Sequence, residues 1–168
     1  IKELASIIKS KDIVKYIPIT KEPTKELYPQ SNSQKRLWIL DKMQEEIGVY
    51  NIGGAFELKG KLNTQALKQA LQTITSRHEI LRTIFIEENG EGFQKIQEKD
   101  FYYFNEITLT ENQDENIEID KELSYNFDLS SEPLFRVVTI NTNNKTYLIV
   151  NMHHIISDGW SVNVIVEE

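Results

Sequence analysis

Residues 145–160 read KTYLIVNMHHIISDGW, and both the fold and the chemistry turn on this stretch. From Lys145 to Met152 the chain is rich in β-branched and large apolar residues, which predicts a strand. Successive strand side chains point to opposite faces. Leu148, Val150, Met152 and His154 therefore share one face, and Ile149, Asn151 and His153 share the other. The adjacent histidines cannot act on one atom, or chelate one metal ion, while the strand stays regular. One is expected to face a site; the other is expected to be packed and hydrogen-bonded. Asp158 follows His154 by four residues, in a turn that Gly159 makes easier.

Upstream of this strand, Phe135–Ile140 is a second β-rich run, and Asn141-Thr142-Asn143-Asn144 between them predicts a hairpin. Residues 54–59, 82–87, 93–97 and 101–107 are further strand candidates, with a turn at Asn89-Gly90-Glu91-Gly92. Helices are predicted over 33–47, with Ser33 as cap and Leu37, Leu40, Ile47 and Trp38 inward, and over 63–77, with Asn63 as cap. The acidic run at 111–122 reads as the solvated face of a helix reaching about Asn126. From Ser161 onward, SVNVIVEE fits a helix or a strand. The pattern as a whole predicts an α/β fold: a mixed, largely antiparallel sheet with packed helices.

The chain's beginning reads differently. Ile1, Leu4, Ile7 and Ile8 line one face of a helix at 1–10, whereas 11–26, with Pro18 and Pro23, has no sustained period and reads as a linker. The first helix is expected to end a different domain. With no initial Met, the chain is expected to be a piece of a longer protein.

Composition narrows the function. The 168 residues carry a net charge of −7, which argues against nucleic acid or an anionic membrane as the main partner. The absence of Cys excludes a disulfide framework, a thiolate metal site and a Cys nucleophile. With three His, metal ligands are few and no metal site is expected. No run has the length of a membrane span and no signal-peptide pattern opens the chain, so the cytoplasm is the expected location.

By itself an H-x-x-x-D spacing more often marks a packed His and a turn Asp than a site. The full string His153-His154-Ile155-Ile156-Ser157-Asp158-Gly159 resembles, in every fixed position, the signature of nonribosomal peptide synthetase condensation domains, members of the chloramphenicol acetyltransferase-like fold. Ser31–Trp38, Tyr50-Asn51-Ile52, Arg77–Thr83 and Phe127-Asp128-Leu129 with Pro133, Leu134 and Arg136 resemble that family's other motifs, in its order. The likeness runs from about residue 27 to 161. IKELASII at the start resembles the last helix of a peptidyl carrier domain.

The resemblance implies that 27–168 is the N-terminal lobe of such a domain, without its C-terminal lobe, of the type joining an L-donor to an L-acceptor. It implies peptide-bond formation between groups held as thioesters on phosphopantetheine arms, with no cofactor bound to this lobe. Donor and acceptor carrier domains, the C-terminal lobe and an adjacent adenylation domain would be the partners. His154 would be the catalytic residue, and Asp158, paired with Arg82 or failing that Arg77, would hold the loop. His153 would be packed, and Gly159 would let backbone approach the thioester. Rival readings are an epimerisation domain, a CoA-dependent acyltransferase of the same fold, or a non-catalytic module that docks carriers.

Overall fold

The structure, a computed structural model, describes residues 18, 20, 22–43 and 48–168. The expected helix at 1–10 and most of the expected linker at 11–26 lie outside the described residues. In chain order the elements are β1 (Tyr28–Pro29), α1 (Asn32–Met43), β2 (Asn51–Leu58), α2 (Thr64–Arg77), a 3-10 turn (Glu79–Arg82), β3 (Thr83–Glu88), β4 (Glu91–Ile96), β5 (Tyr103–Thr108), α3 (Glu115–Leu123), β6 (Phe135–Asn141), β7 (Thr146–His153) and α4 (Gly159–Glu167).

The strands divide between two sheets, where the sequence led us to expect one. A small one has the order β1-β4-β3 and a larger one β2-β7-β6-β5. All pairings are antiparallel except β5 with β6. That exception follows from α3, which carries the chain back across the sheet between β5 and β6. The β3–β4 hairpin is tighter than expected. Glu88 pairs with Glu91, and Asn89 (φ 53°) and Gly90 (φ 81°) make the two-residue turn in the left-handed region, which Asn-Gly adopts readily.

Alternation along the central strands builds two apolar layers. Phe135 and Val137 of β6 and Met152 of β7 face the main core, with Trp38, Leu71, Ile74, Phe85 and Leu134. Val138 and Ile140 of β6 and Ile149 of β7 face the other way, against Ile119 and Leu123 of α3. The larger sheet is thus covered on both faces, which is why β6 is buried along almost its whole length.

The caps are local and mostly legible. Asn63 accepts the Ala66 N–H at 3.0 Å, as expected. For α1 the cap is Ser31 rather than the expected Ser33. Its hydroxyl accepts from Gln34 N–H at 3.2 Å while the Gln34 side chain accepts from Ser31 N–H at 2.9 Å, a reciprocal pair that starts the helix two residues sooner. The ambiguous segment after Gly159 is helical, with Val162 and Ile165 against the main core.

Candidate active site

The β7 ladder ends at His153, which pairs with Asn51 of β2. His153 follows Ile149 and Asn151 onto the α3 face and is 3% exposed. Its Nδ1 accepts the Ile155 N–H at 3.1 Å, and Tyr50 and Phe127 meet its ring edge-on at centroid distances of 6.1 and 6.2 Å. His154 is the first residue of the turn that follows and is exposed. One imidazole is packed, and its neighbour, past the end of the strand, faces solvent.

The His154 backbone stays anchored. Its N–H donates to Tyr50 O at 2.7 Å. Its Nδ1 lies 2.6 Å from the Ser157 carbonyl oxygen. A carbonyl only accepts, so Nδ1 carries the proton of the neutral ring and Nε2 keeps its lone pair. The turn bends back on itself to make this possible: Ile156 N–H donates to His153 O at 3.1 Å. His154 thus offers solvent an oriented basic nitrogen.

Asp158 departs from expectation. Its carboxylate caps α4, accepting the Ser161 N–H at 2.8 Å and the Ser161 hydroxyl at 2.7 Å, and Asp158 N–H donates back to Ser161 Oγ at 3.3 Å. These bonds, the hydroxyl first, hold its carboxyl below the usual carboxylate range. It pairs with neither arginine. Arg82 is 8% exposed and spends its donors on Thr75 O at 3.2 Å, Gln97 O and Glu79. Arg77 meets Glu168 at 2.9 Å, and His78 Nε2 meets the same carboxylate oxygen at 2.9 Å. An aspartate directly before a helix is an N-cap first, and buried Arg82 serves backbone carbonyls of α2 and of the segment just after β4. A Cβ built on Gly159 meets nothing within 4 Å, so no contact within the chain requires glycine there.

Two residues that the sequence reading named without a role hold the framework. Asn51 donates to Leu123 O at 2.9 Å and Tyr125 O at 2.8 Å. Asn151 donates to Glu122 O at 2.8 Å and Leu123 O at 3.1 Å. Together they satisfy carbonyls left open where α3 ends and fasten that helix to β2 and β7. The alternation of β7 placed Asn151 on the face of Ile149, and a buried Asn there was the available signal. Among the described residues, no three His, Asp or Glu cluster to hold a metal ion. No described helix is long and apolar enough to cross a membrane.

Comparison with known proteins agrees with this geometry. The sequence model of the condensation domain family matches residues 24–168. Bacitracin synthase 3 of Bacillus licheniformis is 40% identical over 171 residues, covering 100% of this chain and 3% of that protein. Gramicidin S synthase 2 of Aneurinibacillus migulanus is 35% identical over 170 residues, covering 100% of this chain and 4% of that protein. The crystal structure of the starter condensation domain of the rhizomide synthetase shares the fold, with TM-score 0.74 at 20% identity, over 84% of this chain and 36% of that one. The chain belongs to the condensation domain family. It spans only a few hundredths of the length of these curated relatives.

Proposed function

We propose that this chain forms part of a domain that makes amide bonds in nonribosomal peptide synthesis, with His154 as the residue that handles the proton. One observation carries the reading: the His154 Nδ1–H is committed to Ser157 O at 2.6 Å, which leaves a basic Nε2 at the exposed end of β7. The acceptor's amine attacks the donor's thioester carbonyl. A C–N bond forms, the C–S bond breaks, the amine's proton passes to Nε2 and the departing thiolate takes a proton back. A neutral imidazole with one ring nitrogen held and the other open suits the transfer of a proton from an attacking amine.

Both substrates would arrive on phosphopantetheine arms of donor and acceptor carrier domains, in the cytoplasm, with an adenylation domain supplying the acceptor. The C-terminal lobe would form the second wall of the site. α4 supports this part of the reading. Its first turn leaves Trp160 80% exposed, close behind the motif, on the side where a second wall would stand.

The test is a single-turnover assay in the full-length protein with both carriers loaded. His154→Ala should abolish most amide formation and leave the melting temperature nearly unchanged, because the ring is exposed. Wild-type turnover in that variant would overturn the reading.

A further inference from the structure

We infer that Asp41 is a positioning residue for His154, acting through His153. The inference rests on the reading of His154 given above and adds a residue outside the motif. Asp41 lies on α1, far from the motif in the chain. Its Oδ1 sits 3.6 Å from His153 Nε2, with the His side chain 4% exposed and the Asp side chain 32%. At that separation the contact is electrostatic rather than a hydrogen bond. The two groups border a small cleft of about 130 Å³, along with Tyr50, Asn51, Asn126 and Phe127.

Each link has a chemical reason. The Ile155 N–H donates to His153 Nδ1 at 3.1 Å. That nitrogen must present a lone pair, so the neutral ring carries its proton on Nε2, facing Asp41. A carboxylate stabilises an N–H dipole directed at it and repels a lone pair, so Asp41 reinforces the tautomer that the Ile155 N–H requires and disfavours its alternative. In the other tautomer an Nδ1–H would oppose the Ile155 N–H, donor against donor. The turn held by that amide contains Ser157, whose carbonyl orients His154 at 2.6 Å. Asp41 therefore controls, through one imidazole and one turn, which way the next imidazole points.

Long-range proton–nitrogen correlation spectra of the 168-residue chain read both rings directly. The wild type should show His153 protonated on Nε2 and His154 on Nδ1. Asp41→Leu should mix the His153 tautomers and shift the His154 resonances. Asp41→Asn, which keeps the shape and removes the charge, should do the same in smaller degree, and Asp41→Glu should restore the wild-type pattern. In the full-length protein, Asp41→Leu should slow single turnover by up to roughly 100-fold without weakening carrier binding, the loss expected when a reacting group is slightly misplaced. Unchanged tautomers of both rings in the Leu and Asn variants would overturn the inference, whatever the rate. Changed tautomers alongside full activity of His154→Ala would leave the Asp41 link standing and overturn the role of His154 instead.

Discussion

The Arg136 guanidinium and the Glu122 carboxylate form an ion pair at 3.1 Å, with their side chains 7% and 8% exposed. The rings of Tyr103 and Tyr125 enclose that guanidinium from two sides, at 3.7 and 3.6 Å from their centroids. The acidic run read from the sequence as a solvated face thus contains the buried residue of α3. The pair ties α3 to β6 beside the carbonyls that Asn51 and Asn151 hold, so the sheet that ends in His153 depends on it.

Breaking this pair from one side strands a buried charge. Glu122→Gln or Arg136→Met should each cost about 3–5 kcal/mol in urea unfolding. Changing both to apolar residues of similar volume should cost clearly less than the sum of the single changes. Additive losses would show that the two charges do not stabilise each other.

Asp158 and Arg82 should behave as independent residues. Arg82→Ala leaves the Thr75 and Gln97 carbonyls without their donor, at about 1–3 kcal/mol each. Asp158→Ala frays the start of α4 and lowers the melting temperature only modestly. A double-mutant cycle should show no coupling, because they share no partner. A strong coupling would restore the ion pair that the sequence suggested.

The same carboxylate sets a pH dependence. Its pKa is depressed by the Ser161 hydroxyl and N–H, so its contribution is present above the unfolded value near ~3.9 and is lost as pH falls through the folded value. Melting curves of the wild type and Asp158→Asn should differ at neutral pH and converge in acid. A difference that persists unchanged at the acid end would exclude the capping carboxylate as its source.

Tyr125 should titrate late. Burial first, and then donation to Glu132 Oε2 at 2.6 Å, push its pKa up to about 12. Its contribution to stability is complete below the unfolded value near ~10 and fades as pH rises towards the folded one. Ultraviolet titration should show one tyrosine ionising above the rest, and Glu132→Gln should bring it down. No change in that variant would remove Glu132 as a cause.

Gly53 should tolerate no side chain without adjustment. A Cβ there meets Asn151 Oδ1, Leu123 Cδ2 and the Val150 carbonyl oxygen, each at 3.0 Å. One of these is backbone and cannot turn aside, so Gly53→Ala should destabilise by about 1–3 kcal/mol. A neutral result would mean that β2 can move away from α3 at no cost.

What the sequence determined by itself is what neighbours along the chain decide. Alternation turned the two histidines apart and put Asn151 with Ile149, Asn63 capped its helix, and the turn at Asn89-Gly90 fell inside the segment expected to turn, because each depends on residues a few positions apart. The condensation domain signature was legible for the same reason, being one contiguous string after one strand. Only the tertiary structure decided what crosses long stretches of sequence. It set the parallel register of β5 on β6, the pairing of Glu122 with Arg136, the Asn51 and Asn151 latches on α3, and Asp41 opposite His153. It also decided against joining Asp158 to Arg82: the aspartate is used within three residues of itself and the arginine by the carbonyls of Thr75 and Gln97. Composition and spacing state which groups are available, but a charged side chain satisfies the partner that packing brings within reach, and packing is a property of the whole chain.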